Sequence, residues 1–370
     1  MKEFKKVSQS SSLGYMVQLD SLRALAVFGV LFEHYVPDDL PGSTLSYWKS
    51  TLSLGSSAVT LFLVLSGFLI TGILLRSRDT INPTTQSARF TLWIFYIRRF
   101  LRISPIYYLT LIVTAIGFNQ VRSVFFWHLT YTTNIMVFIR GEWDSYSSHL
   151  WTLSLEEQFY LIWPCLMLFL PKKYLLKAIF TTIILSVISR FILLYGFHLN
   201  TVQIAVFPLA SMDKLGLGAL LAFYTYNPER FNQAKRNLCN LGLWVCLPLV
   251  IFFNNIEIFN ILLKPTVFAI FSTWLINGAA EGFGGIGGRI LELKPLVFLG
   301  KISYGIYLYH YFMNPIFAKA YALKLLAPMS LRFDFLFKSL LTLGIAILSW
   351  FLIEKPINDL KRKFNYNKTP

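Results

Sequence analysis

The chain has 370 residues, of which 55% are hydrophobic, 17% aromatic and 14% charged, with a formal net charge of +16. So much apolar surface beside so few charges excludes a soluble globular domain and a disordered chain, and specifies a polytopic membrane protein. The three cysteines, Cys165, Cys239 and Cys246, lack metal-ligand spacing, and the last two sit about 10 Å apart on a helix, too far for a disulfide.

Residues 1–18 are polar and basic and carry no small-residue cleavage site, so the first helix is expected to act as an uncleaved signal anchor. Apolar runs follow at 19–36, 55–75, 103–118, 151–170, 176–196, 205–226, 238–254, 262–280, 295–318 and 335–353, each near the length that crosses a bilayer core. The stretch 122–139 is also apolar, but His128, Thr130, Thr132, Thr133 and Asn134 interrupt it, and it is predicted as a re-entrant or surface segment.

Ten crossings that start inside place Lys2, Lys5, Lys6, Arg76, Arg78, Arg98, Arg99, Arg102, Lys172, Lys173 and Lys177 in the cytoplasm. Arg230, Lys235, Arg236, Arg289, Lys294 and Lys361–Lys363 fall on the same side. The opposite loops hold little more than Lys49, Arg122, Arg140, Lys319, Lys324 and Arg332, the positive-inside bias. An eleventh span at 122–139 would invert everything after it. The expected architecture is therefore all-α, a polytopic membrane protein of about ten transmembrane helices around a central cavity, with both termini cytoplasmic. It divides into an N-terminal tail (1–18), a transmembrane domain (19–357) and a basic tail (358–370). The positive charge then serves orientation and attraction to anionic lipid; no nucleic-acid partner is expected.

The most informative polar pattern lies in the first helix. Arg23 and His34 are eleven residues apart, within about 20° of one helical face and roughly 16 Å apart along the axis. A guanidinium at membrane depth must face protein or a wet cavity, and a shared face at two depths is what a through-membrane cavity needs. The alternative is a snorkelling arginine with a headgroup-level histidine. Phe62 to Phe68, with Ser66-Gly67 between, reads as close helix packing.

Arg98, Arg99 and Arg102 cluster at the cytoplasmic mouth of the third span, where Arg98 and Arg102 share a face and form a phosphate-sized fork. A plain positive-inside cluster is the alternative. In His149 to Tyr160, Ser154 and Glu157 fit a capping box, which leaves Glu156 and Tyr160, one turn apart, unexplained by capping. Asp213 and Lys214 are expected to reach different partners or to neutralise one another. In the ninth span His310 shares a face with Ser303 and Tyr307, beside Tyr304, and reads first as a satisfied interior histidine.

Together these segments resemble the acyltransferase-3 family of integral membrane acyltransferases that modify extracytoplasmic carbohydrates. The likeness runs through Leu19 to Ala24 with His34, Phe62 to Phe68, Arg98 to Arg102, Trp151 to Tyr160, Ser303 to His310 and Glu354-Lys355-Pro356, so it covers nearly the whole chain. The resemblance implies that Arg23 and His34 are central to activity and that Arg98, Arg99 and Arg102 receive an acyl-CoA donor. It also implies that Ser154, Glu156 and Tyr160 form a required outer motif. It implies a multi-pass protein of a bacterial cytoplasmic membrane with no permanently bound cofactor and no metal. Its substrates would be acyl-CoA, acetyl-CoA first and succinyl-CoA as an alternative, and an extracytoplasmic glycan or lipid-linked saccharide. Some relatives carry a fused esterase-like domain; a second activity here is expected to need a separate protein.

The mechanism expected from the residues has the phosphates of the donor at the arginines and its pantetheine arm threaded upward over roughly 15–20 Å. Neutral His34 would act as general base toward a sugar hydroxyl, with Glu156 orienting the imidazolium and Arg23 holding the donor arm. No cysteine is near His34 in sequence, so a covalent acyl-enzyme is not expected. A saccharide transporter or flippase is the rival from another class, since it too places Arg, His, Glu and Asp on a membrane pathway.

Overall fold

A computed structural model describes residues 15–36, 49, 53–79, 81, 87–253, 256–327, 329–364 and 366, and among these the chain is helical with no strand. Apart from the short helices Asn119–Ser123, Leu247–Phe252, Glu257–Leu262 and Lys355–Asp359, the α-helices in chain order are α1 (Val17–Tyr35), α2 (Leu54–Asp79), α3 (Ala88–Gly117), α4 (Phe125–Leu129), α5 (Thr133–Arg140), α6 (Leu150–Phe169) and α7 (Lys172–Phe191). They continue as α8 (Thr201–Val206), α9 (Met212–Tyr226), α10 (Pro228–Leu241), α11 (Lys264–Glu281), α12 (Gly285–Leu291), α13 (Lys294–Lys301), α14 (Ser303–Ala322) and α15 (Leu331–Ser349).

Four helices among the described residues are long and apolar enough to cross a membrane: Leu54–Asp79, Ala88–Gly117, Lys172–Gly196 and Leu331–Lys363. The other apolar runs are shorter or broken. Pro208 lies in the break between α8 and α9, where a proline cannot donate to a continuing helix, and the run 295–318 is split at Ile302 into α13 and α14. Single π-helical turns at Ile192–Gly196, Gly242–Cys246 and Trp350–Glu354 carry other segments past their α-helical ends. The stretch 122–139 contains no single crossing helix; it folds into α4, α5 and the end of Asn119–Ser123.

Two helix starts that bear on the site differ from those read in the sequence. Helix α3 begins at Ala88, fifteen residues before the apolar run, because Ser87 accepts the Phe90 N–H at 3.2 Å and starts the helix inside the basic segment. Arg98 to Arg102 are thus within a helix rather than ahead of one. Helix α6 begins at Leu150, so Ser154 is in its interior and caps nothing; its hydroxyl donates to the Leu150 carbonyl at 3.1 Å. The capping box with Glu157 is not formed.

The centre of the bundle is α9, almost wholly buried and laid against α2. Their closeness depends on glycine, since a Cβ on Gly67 would sit 2.0 Å from the Leu215 carbonyl oxygen and one on Gly218 2.0 Å from that of Val64. The packing role expected for Ser66-Gly67 is therefore met by backbone contact. Gly67→Val or Gly218→Val should separate the two helices and destabilise the protein by about 1–3 kcal/mol or more, read as a lower melting temperature in detergent. An unchanged melting temperature would show that the crossing adapts. On the outside, α7 and α15 with the π-helical turn after it expose Ile184, Ile188, Phe191, Leu340, Leu348 and Leu352, an apolar rim suited to lipid.

Helix α1 is tied to the segment between α11 and α13. Gln18 donates to the Phe283 carbonyl at 3.1 Å and to Glu292 Oε1 at 3.0 Å, and accepts the Phe283 N–H at 2.7 Å. These bonds fix the depth of Arg23 and His34, because both ride on the same rigid helix.

Candidate functional site

Three cavities lie in a row through the bundle. Helix α2 joins the two end ones, since Gly55 and Thr60 line the first while Ile73 and Arg76 line the last. Gly55 and Ile73 are about 27 Å apart along the helix.

The cavity at the arginine end, of ≈ 470 Å³, is lined by Arg76, Arg98, Arg99, Arg102 and Lys361 with Phe95 and Tyr366, and among the described residues by no carboxylate. The i, i+4 spacing predicted for Arg98 and Arg102 places both on it. Arg98 is partly engaged: its Nη1 donates to the carbonyls of Lys361 at 3.0 Å and Phe364 at 2.7 Å, and its guanidinium lies 5.5 Å from the Tyr366 ring centre. The C-terminal segment thus helps to build this cavity.

The middle cavity, of ≈ 100 Å³, shares Arg99 and Arg102 with the arginine end and Val59 and Tyr307 with the histidine end. Arg23 lines it and is ion-paired to Asp20, one turn earlier on α1. Glu156 lines it too, accepting from Ser66 Oγ at 2.8 Å and from Tyr160 at 3.2 Å. Tyr160 also donates to Ser66 Oγ at 3.1 Å, under the Arg99 guanidinium at 5.2 Å. Ser303 and Tyr304 complete this wall, with the Tyr304 hydroxyl on the Ile103 carbonyl at 3.2 Å.

The cavity at the histidine end, of ≈ 570 Å³, is lined by His34 and His149 with Glu33, Tyr307, Tyr311 and Lys214. Here three of the five histidines gather: the rings of His34 and His310 are 5.1 Å apart and those of His149 and His310 5.3 Å. Tyr311 stacks on His149 at 4.8 Å and meets His34 edge-on at 5.0 Å. His34 is held by its helix end, where its carbonyl accepts from Asn314 at 2.9 Å. His310 is satisfied at one nitrogen only: Nδ1 donates to the Tyr307 carbonyl at 2.5 Å, and Nε2 is without a partner among the described residues.

The arrangement brings Arg23, Glu156, Tyr160, Ser303, Tyr304, Arg99 and Arg102 together, and brings His34 to His310. It does not set Glu156 beside His34. Glu156 is seven residues, about 10 Å, further along α6 than His149, the residue of that motif that shares the cavity of His34. Ser154 lines none of these cavities; it accepts the Thr133 N–H at 3.3 Å and so joins α5 to α6. Asp213 and Lys214 do reach different partners, Asp213 accepting from Arg190 at 2.8 Å and Lys214 donating to Ser211 at 3.1 Å. Among the described residues no group of three or more His, Cys, Asp or Glu could hold a metal ion.

The segment before α6 is a polar clamp. Ser147 donates to Asp144 at 2.6 Å, so it accepts from His128 Nε2 at 2.9 Å, and Nδ1 then accepts from Thr133 at 2.8 Å. Burial pushes the His128 pKa down to about 4 against the opposing pull of Asp144, which keeps the ring neutral. The Ser–His contact is therefore structural, with the serine proton directed at the aspartate.

Residues that sequence reasoning passed over include Ser66, read only as packing, and His149 and Tyr307, quoted in motifs without a role. Their signal was present in the same segments: a hydroxyl one position before a crossing glycine, and a histidine opening a helix that also carries Glu156.

Residues 16–355 match the family described as "Acyltransferase domain". The chain is 26% identical to the O-acetyltransferase OatA of Staphylococcus aureus strain NCTC 8325, covering 96% of this chain and 59% of the relative. It is also 26% identical to a putative O-acetyltransferase of strain MSSA476, covering 84% of this chain and 52% of the relative. The chain thus spans less than two thirds of the length of these relatives. No solved structure matches it. A family match across nearly the whole chain, on a helical bundle of this design, places the protein in the acyltransferase-3 family of acyltransferase domains.

Proposed function

We propose that this acyltransferase passes an acetyl group from cytosolic acetyl-CoA, through the bundle, to a hydroxyl of an extracytoplasmic carbohydrate. The observation that carries the reading is the row of three cavities, cation-lined at one end and histidine-lined at the other, with shared walls. Positive-inside bias assigns the arginine end to the cytoplasm, where a polyanionic donor is found. The CoA phosphates bind Arg98, Arg99 and Arg102, and the pantetheine arm passes Arg23, Glu156 and Tyr160. A span of roughly 15–20 Å suits an extended pantetheine and brings the thioester toward Tyr307 and His34.

His34 Nδ1 or Nε2 accepts the proton of the sugar hydroxyl as its oxygen attacks the thioester carbon. The C–S bond then breaks and CoA leaves as the thiol, taking back the proton. Glu156 acts on the donor arm in this arrangement, since its two oxygens are directed at Ser66 and Tyr160 in the middle cavity. The relatives' printed names, both O-acetyltransferases, favour acetyl over larger acyl groups.

Mass spectrometry of surface glycans from cells with and without the protein tests this directly. A mass difference of one acetyl group on a saccharide, lost when the gene is deleted and restored by the chain, is the expected result. A glycan that changes in amount on the outer surface with no change in mass would instead indicate transport.

A further inference from the structure

The cavity at the histidine end holds a charge that the general-base reading does not use. Lys214, the third residue of α9, lines it and is 7% exposed. Its ammonium donates one hydrogen bond, to Ser211, and forms no ion pair among the described residues. The adjacent Asp213 is turned away, accepting from Arg190, Ser186 at 3.0 Å and Thr266 at 2.5 Å. Arg190 lines the same cavity, and its Nε is without a partner among the described residues.

A buried ammonium whose neighbouring carboxylate spends its hydrogen bonds on another cation and two hydroxyls is costly, and the positive end of the α9 dipole raises the cost further. Ser211 alone does not repay it. Lys264, which donates to Ser53 Oγ at 2.8 Å, is a further basic residue of the lining, and among the described residues the lining carboxylate is Glu33, which accepts the Gly55 N–H at 3.1 Å. Beside these charges stand Trp143 and Trp151, with ring centres 6.0 Å apart, aromatic faces of the kind on which sugar rings pack.

We infer that Lys214 anchors an anionic group, carboxylate or phosphate, carried by the saccharide acceptor, so that the acceptor is an acidic sugar rather than a neutral one. This rests on the reading of the histidine-end cavity as the acceptor site. An anion there would pair with the ammonium and engage its two remaining N–H donors, while the aromatic faces hold the ring.

The test uses the full chain in detergent, saturated with coenzyme A so that the arginine cavity is filled, and titrated calorimetrically with glucose, glucose 1-phosphate and glucuronic acid. At least one charged sugar should bind about tenfold or more tighter than glucose, and which one does so distinguishes phosphate from carboxylate. The preference should shrink to about twofold in Lys214→Gln and persist in Lys214→Arg. Equal binding of the three sugars to the wild-type chain overturns the inference, as does a preference unchanged in a well-folded Lys214→Gln. If that variant does not fold, the wild-type comparison decides alone. Acetyl-CoA turnover measured on the same preparation separates the two readings. Turnover without a charge preference removes the anionic subsite alone, and a charge preference without turnover removes acyl transfer alone.

Discussion

His34→Ala is expected to give a protein that inserts and folds as the wild type while losing at least about 10²-fold in acetyl transfer, the usual contribution of a general base. His34 is at the far end of its helix from the Gln18 and Ser21 bonds. It lies in the last turn of α1, whose depth is set by Gln18 and Ser21 at the opposite end, through bonds to Phe283, Glu292 and Leu291. Its ring borders the histidine-end cavity, with His310, His149 and Tyr311 around it, so its loss leaves those walls standing. His34→Gln should be equally inactive, because an amide keeps hydrogen-bonding capacity without basicity. The readout is acetyl-CoA consumption with membrane-inserted protein quantified in parallel. Near-normal transfer by either variant removes His34 from the chemistry and shifts attention to His149.

Replacing Arg98 and Arg102 together by Gln should weaken CoA binding by about 10- to 100-fold, with acceptor binding unchanged. Each charge-assisted phosphate contact is worth about 1.5–3 kcal/mol when well formed, and exposure of Arg102 to the cavity lowers the sum through screening. The two residues should not contribute equally. Arg98 already donates to the Lys361 and Phe364 carbonyls and lies over Tyr366, so Arg98→Gln alone should also loosen the C-terminal segment. Arg102→Gln alone should cost the larger share of donor affinity. Binding should weaken further as salt rises from low to physiological, since the site recognises charge. Affinity for CoA unchanged in the double variant would reduce the cluster to an orientation signal.

The sequence by itself determined the helical class, the shared face of Arg23 and His34, the fork of Arg98 and Arg102, and the broken nature of 122–139. Each follows from local rules: helical periodicity puts residues eleven or four apart on one face whatever the helix packs against, and hydroxyls and amides interrupt an apolar run without reference to tertiary contacts. The resemblance in six motifs pointed to the family in the same way, through residue order along the chain. Sequence could not say which motif faces which cavity. Glu156 belongs with Ser66 and Arg99 in the middle of the bundle, and His149, seven residues before it, belongs with His34. That division is set by the tilt and depth of α6 against α2, and the depth of α2 in turn by the glycine contact of Gly67 and Gly218 with α9. Helix start points were also misjudged, because Ser87 carries α3 back through charged residues that an apolar window discards. The assembly of Arg190 and Lys214 into one wall, with Asp213 bonded to Arg190 behind it, joins residues on separate helices, and only the packing of α7 against α9 brings them together. Periodicity fixes the angle of a side chain about its own axis, whereas the height at which two axes cross depends on contacts far apart in the chain, which no local pattern records.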